Sequence, residues 1–250
     1  MAIETGLSGR TVLITGAGRN IGYLAALAYA REGANLALCT RSSMEQLDRV
    51  ADEARGLGAR VMTGQCDVAD ARAVGEFVAR AAAEFGAVDV AVNNAVYRSE
   101  HENKGFLDQP EDAWRRNLQV NLEGPYNVCR AVLPLMKKRR WGRIVSFSGA
   151  TAYLGAGAGR AAVRLGVVGL TRGIAREFGA FNVTANCIGP STVETRRDGA
   201  SARKGVRDNQ PIQRLARPEE IVALMVYLSS ENAGFITGQS YLINGGSYFL

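Results

Sequence analysis

Residues 11–32 read TVLITGAGRNIGYLAALAYARE. Val12-Leu13-Ile14 is a continuous apolar run of the kind that forms a strand buried on both faces. Glycines follow at Gly16, Gly18 and Gly22, and an alanine- and leucine-rich helical pattern then runs toward Gly33. A strand, a glycine turn and a helix in that order direct backbone N–H groups and a helix N-terminus at one point, where a pyrophosphate can sit. Absence of a side chain at Gly16 lets the backbone turn, and at Gly22 it lets the helix lie close to the strand. A glycine triplet alone also occurs in turns that bind nothing. Here the flanking strand and helix are those a dinucleotide site requires, so the stretch is read as one, with Arg19, Asn20 and Ile21 completing the loop.

The chain is 250 residues long, enough to bury a full core. At 47% hydrophobic and 22% charged it has the composition of a soluble globular protein. No apolar run reaches the ~18 residues of a membrane span, and MAIETGLSGR lacks the apolar segment of a signal peptide. Cys39, Cys66, Cys129 and Cys187 show no C-x-x-C spacing and lie in or beside apolar segments. They read as reduced packing residues of a cytoplasmic protein. The net charge of +6 could favour an acidic partner, but the basic residues are scattered and not interleaved with aromatics, which argues against nucleic acid. The densest run, Lys137 to Arg140, closes a helical pattern, where cations complement the helix dipole.

Strand and helix patterns alternate to the end, without a linker or repeat, so residues 1–250 are expected to form one domain. Strands are predicted at 35–40, 60–64, 88–92, 143–147, 182–188 and 240–243. Helices are predicted at 43–57, 70–85, 111–138, after the glycine-rich 155–159 to 178, and 218–229. Such alternation implies an α/β fold of Rossmann type, a doubly wound parallel sheet with helices on both faces. Ligands bind beyond the carboxyl ends of such strands. Polar clusters at Thr15–Gly22, Thr40-Arg41, Asp67, Asn93-Asn94, Ser146/Ser148 and Gly189–Thr195 should therefore converge on one crevice.

The end of the second strand selects the dinucleotide. An acidic residue there would bond the ribose hydroxyls of NAD and repel a 2′-phosphate. This chain has Thr40-Arg41-Ser42 instead, and Arg19 lies in the glycine loop. Two guanidinium groups with neighbouring hydroxyls suit a phosphate dianion, so NADP(H) is favoured over NAD(H).

TGAGRNIG (15–22), CDV (66–68), NNA (93–95), VNLEGPYN (120–127), GRIVSFSG (142–149), NCIGP (186–190) and ITGQSYLINGG (236–246) together resemble the short-chain dehydrogenase/reductases, and most of all their 3-oxoacyl-carrier-protein-reductase-like members. The resemblance spans essentially the whole chain. It implies a sheet of seven parallel strands, a nicotinamide cofactor and a homotetramer built on the long helices. It further implies that Asp67 and Val68 contact adenine, that Asn93 and Ala95 line the adenosine side, that Asn121 is a catalytic asparagine, and that Pro190, Val193 and Thr195 embrace the nicotinamide carboxamide. Asn20, Val96 and Ser191 stand where the family has glycine.

One departure matters more. Family members carry Tyr-x-x-x-Lys on the helix after the fifth strand, with a serine upstream. Counting back from GVVGLTR (166–172) puts Arg160 and Arg164 at the tyrosine and lysine positions, with either Ser148 or Gly149 at the serine. A guanidinium does not give up a proton near neutral pH, so Arg160 cannot replace a phenol as general acid. It can stabilise a developing alkoxide or clamp an anion, and Arg164, one helical turn later, can keep the ribose contact. Tyr153 is the first candidate for the missing proton donor, ahead of Tyr97 and His101, although each also reads as a loop or packing residue. Arg196, Arg197, Arg203, Lys204 and Arg207 form a polar segment expected to act as a lid. As a plain solvated loop it would do nothing further. As a lid beside the arginine pair it would favour an anionic small-molecule substrate. The expectation is an NADP(H)-dependent oxidoreductase with an atypical active site, moving hydride to or from a carbonyl or an activated C=C. The alternative is a catalytically silent dinucleotide-binding sensor or partner subunit.

Overall fold

The computed structural model describes residues 4–101, 104–155, 157–194 and 210–249. Thr195, expected at the carboxamide, and the arginines of the expected lid lie outside the described residues.

β1 (Thr11–Thr15) is buried at every position and sits between β2 (Asn35–Thr40) and β4 (Val90–Asn93). β3 (Val61–Gln65) flanks β2, and β5 (Gly142–Phe147), β6 (Val183–Pro190) and β7 (Ser240–Ile243) continue beyond β4. The order is β3-β2-β1-β4-β5-β6-β7 and every pairing is parallel, for example Val12↔Leu36 on one side and Val12↔Val90 on the other. Alternation along β1 explains why its apolar run is unbroken. Val12 and Ile14 enter the core shared with Tyr29, Leu47 and Met225, whereas Leu13 enters the opposite one with Phe77, Val132 and Ile144.

The first of these cores is closed by α1 (Asn20–Arg31), α2 (Met44–Gly56) and α8 (Pro218–Ser229), and the second by α3 (Ala71–Phe85), α5 (Gly124–Arg139) and α7 (Ala158–Phe178). Local chemistry sets their ends. Asp70 accepts hydrogen bonds from the N–H groups of Arg72 and Ala73 to start α3, and Gly86, at φ +80°, ends it. The single helix expected over 111–138 is instead two. α4 (Glu111–Leu118) meets α5 through a π-helical turn at Gln119–Glu123. Directly after that turn Gly124 packs against Val68, where a Cβ would lie 2.7 Å from the valine methyl. A short helix, α6 (Thr151–Leu154), precedes α7.

At the amino ends of the strands the sheet is sealed by Arg143, 2% exposed. Its guanidinium donates to the carbonyls of Ser230, Gly142 and Asn182 and lies 4.4 Å from the centre of the Trp141 ring. Burial, together with the nearby charge of Arg10, pushes its pKa down to about 10. The carboxyl ends, by contrast, are open. The chain leaves β1 to one side and β4 to the other, and a crevice opens between them.

Candidate functional site

A cleft of about 910 Å³ lies along the carboxyl ends of β1 to β6. Its centre is the glycine turn. Gly16 has φ +66°, and a Cβ on Gly22 would lie 2.7 Å from Asn94 Nδ2 and collide with the Gly16 carbonyl oxygen. Gly16, Gly18, Arg19, Asn20 and Ile21 line the cleft, and Gly22 supports them from behind. Asn20 takes the place of a glycine at φ +50°, a left-handed conformation asparagine tolerates better than most residues. Asn94 fastens the turn: its Nδ2 donates to the carbonyls of Thr15 and Gly16, while Thr15 Oγ1 accepts from the N–H groups of Asn94 and Ala95. α1 starts at this turn with no side-chain cap and no acidic residue in its first turn. Uncapped N–H groups and close backbone approach are what a diphosphate needs, so these residues fit a dinucleotide.

The β2–β3 end of the cleft is lined by Thr40, Arg41, Ser42, Cys66, Asp67 and Val68. Arg116, from α4, reaches across to donate to Asp67 Oδ2 at 2.6 Å. Burial opposes the charge on Asp67, but the bonds from Arg116 and the Ala69 N–H, with the charges of Arg116 and Arg41, outweigh it and lower its pKa. Arg116 gave no signal in the sequence, because its pairing with Asp67 depends on where α4 crosses the sheet.

At the β5–β6 end, Arg160 and Arg164 project from successive turns of α7, and Arg164 donates to the Phe147 carbonyl at 3.0 Å. Ala95 lines the middle of the cleft, and Pro190 and Val193 line this end beside Gly149 and Ala150.

Five expected site residues are placed elsewhere. Asn93 turns its side chain inward, its Nδ2 donating to Ser146 Oγ, and it is Asn94 that faces the cleft. Ser148 is fully buried and lies within hydrogen-bond distance of the Ser240 hydroxyl, 3.3 Å away, because Phe147 and Gly149 take the cleft side at the end of β5. Ser146 is likewise internal. Asn121 spends its amide on the backbone of Tyr97, accepting from the Tyr97 N–H and donating to its carbonyl, both at 2.9 Å. Tyr153 packs its ring on Tyr248, centroids 6.4 Å apart, and buries its hydroxyl without a hydrogen-bond partner, outside the cleft. Tyr97, held by Asn121, does line the cleft. Among the described residues no group of three or more His, Cys, Asp or Glu side chains is placed to hold a metal, and no helix is long and apolar enough to cross a membrane.

A parallel seven-stranded sheet with this glycine turn at the switch between β1 and β4 is the architecture of dinucleotide-binding α/β proteins, and the chain belongs to the short-chain dehydrogenase/reductase family, whose members bind a nicotinamide dinucleotide. A family model described as enoyl-(acyl carrier protein) reductase matches residues 16–248. Oxidoreductase UcpA of Salmonella typhimurium is 37% identical over an alignment of 256 positions, gaps included, that takes in 96% of this chain and 95% of that protein. The 3-oxoacyl-[acyl-carrier-protein] reductase FabG of Thermotoga maritima is 33% identical, with 96% and 98% covered. The crystal structure of levodione reductase superposes with a TM-score of 0.88 at 29% identity, covering 96% of this chain and 98% of that one. A short-chain type dehydrogenase/reductase from Mycobacterium marinum gives 0.89 at 29% identity, with 98% of each chain covered.

Proposed function

We propose that the protein is an NADP(H)-dependent oxidoreductase with an atypical active site, acting on a carbonyl or an activated C=C. The observation that carries the NADP(H) preference is that Arg19 and Arg41 both line the cleft, as do Thr40 and Ser42 on either side of Arg41 in the chain, and the end of β2 carries no acidic residue. Guanidinium forks and hydroxyls favour a 2′-phosphate. Gly16, Gly18 and the start of α1 would hold the diphosphate, Val68 and Ala95 the adenosine, and Pro190 and Val193 the carboxamide. The nicotinamide, when bound, gives or takes a hydride.

The chain's own residues then do three things. Arg160 stabilises negative charge on the reacting oxygen, because a fixed cation in a walled cleft acts through low dielectric. Arg164, pinned by the Phe147 carbonyl, orients the ribose. Tyr97 replaces the family's tyrosine as proton donor. It is the one phenol lining the cleft among the described residues, and Asn121 fixes its backbone on both sides.

A second reading, a dinucleotide-binding protein without turnover, is favoured by the placement of Ser148, Tyr153 and Asn121 outside the cleft. The two are separated by following NADPH and NADH consumption against a panel of ketones, quinones and enones. The oxidoreductase reading expects turnover with NADPH in preference to NADH, and a fall of about 10² or more in Tyr97→Phe and Arg160→Ala. Cofactor binding with no turnover across the panel would establish the second.

A further inference from the structure

Among the described residues that line the cleft, Asp67 is the only acidic one. It stands just past the end of β3, beside the chain that leaves β2. The Cys66 N–H donates to the Thr40 carbonyl at 2.8 Å, and Gln65 Nε2 donates to the Arg41 carbonyl at 2.9 Å, so the two strand ends run side by side. The positive charge of Arg41 reaches the Asp67 carboxylate and helps to lower its pKa. An anion drawn to Arg41 is thus placed where Asp67 repels it. An acidic residue at the end of the second strand turns away a 2′-phosphate. Here a carboxylate stands one strand further on, and the same repulsion applies.

Arg116 meets that charge. It comes from α4, 49 residues along the chain, and donates to Asp67 Oδ2 at 2.6 Å. Asp67 Oδ1 accepts from the Ala69 N–H at 3.0 Å, so both carboxylate oxygens are engaged and the group is held in place. Arg116 lines the cleft as Asp67 does. The two side chains are 25% and 31% exposed, so water already screens part of the carboxylate's field and the cation cancels the remainder. A moderate factor in binding follows, not a large one.

We propose that Arg116 helps to select the cofactor by acting through Asp67: it cancels the one negative charge beside the place of the 2′-phosphate, and so admits NADP(H) where the bare carboxylate would favour NAD(H). This rests on the reading of the cleft as a dinucleotide site with the 2′-phosphate near Arg19 and Arg41, and it adds the residue that makes the neighbouring carboxylate compatible with that phosphate. Arg116 is a positioning residue in this role. Its signature is the ratio of the affinities for NADPH and NADH, because whatever the two cofactors share cancels in that ratio.

Fluorescence titrations with NADPH and NADH at low salt test it on the unaltered protein, Arg116→Gln, Arg116→Lys, Asp67→Asn and Arg116→Gln/Asp67→Asn. Calorimetry with adenosine 2′,5′-bisphosphate against adenosine 5′-monophosphate repeats the comparison without the nicotinamide. Arg116→Gln is expected to shift the ratio toward NADH on the order of fivefold. Arg116→Lys, which keeps the charge, should shift it less, and the double variant should return it close to that of the unaltered protein. Raising salt to ~1 M should shrink the Arg116→Gln shift. Equal weakening of both cofactors by Arg116→Gln would make the pair a structural tie and overturn the inference. So would a shift in the ratio that Asp67→Asn does not undo. If Arg116→Gln does not fold, Asp67→Asn alone decides: it should move the ratio toward NADPH, and an unmoved ratio overturns the inference. Equal affinities in the unaltered protein would remove the NADP(H) preference, while the shift between variants still decides the role of Arg116. Failure of both cofactors to bind overturns both readings.

Discussion

At Gly22 the margin is one methyl group. Its Cβ would strike the Gly16 carbonyl oxygen and crowd the Asn94 amide that holds the turn. Gly22→Ala must therefore push α1 away from β1, at a cost of about 1–3 kcal/mol, and should weaken NADPH binding as the N–H groups of the turn lose their alignment. Gly75, in the middle of α3, has no heavy atom within 4 Å of where a Cβ would stand, so Gly75→Ala should instead stabilise by up to ~1 kcal/mol. Urea denaturation and a cofactor titration on both variants check the pair, and equal effects would remove the packing explanation. The role of Gly22 is legible in the sequence, since a glycine that opens a helix after a buried strand has few other reasons to be there. Asn94 is not legible in the same way. Asn93 and Asn94 are adjacent and chemically identical, and only their position at the end of β4 sends one toward Ser146 and the other toward the turn.

Among the elements, α8 shows how a helix start can carry pH dependence. Glu220 accepts from the Arg217 N–H and pairs with Arg214, and the Arg214 bond above all pulls its pKa down to about 2. A carboxylate held below its ordinary pKa contributes stability that is complete above that ordinary value, near ~4.3, and is lost as pH falls from there toward about 2. Glu220→Gln should accordingly flatten this part of the acid limb while leaving stability at low pH unchanged. Urea midpoints taken from neutral pH down to the acid limit check this, and an unaltered limb would show that solvent screens the pair completely. The boundaries of α8 and β7 agree with the sequence pattern residue for residue, because helical periodicity and strand alternation are local. The π-helical turn that splits α4 from α5 left no local trace. It leads into Gly124, which lies close against Val68, and that contact links segments far apart in the chain.

Over the whole molecule, the dominant feature is the field of the cleft, lined by six arginines and one aspartate among the described residues. NADPH carries a 2′-phosphate that NADH lacks, so its affinity should fall more steeply with ionic strength. Between ~0.01 M and ~1 M salt the Debye length shrinks from ~30 Å to ~3 Å, and the preference for NADPH should shrink with it. Parallel titrations of the two cofactors across that range check this, and parallel slopes would place the 2′-phosphate outside the reach of Arg19 and Arg41. What the amino-acid sequence by itself determined is the sheet, its glycine turn and the identity of the charges at each strand end, because burial and backbone freedom are properties of short segments. It also carries the spacing from which we propose that Arg160 and Arg164 stand at the family's tyrosine and lysine positions. Which side chains share the cleft was decided by tertiary structure alone. At the end of β5 a shift of one residue separates Gly149, which faces the cleft, from Ser148, which faces Ser240. Arg116 meets Asp67 across the wall where α4 carries it, and Tyr97 is held at the cleft by Asn121 from a distant segment. A strand end presents neighbouring residues to opposite sides, and only the packed neighbours on each side determine which of them meets a ligand.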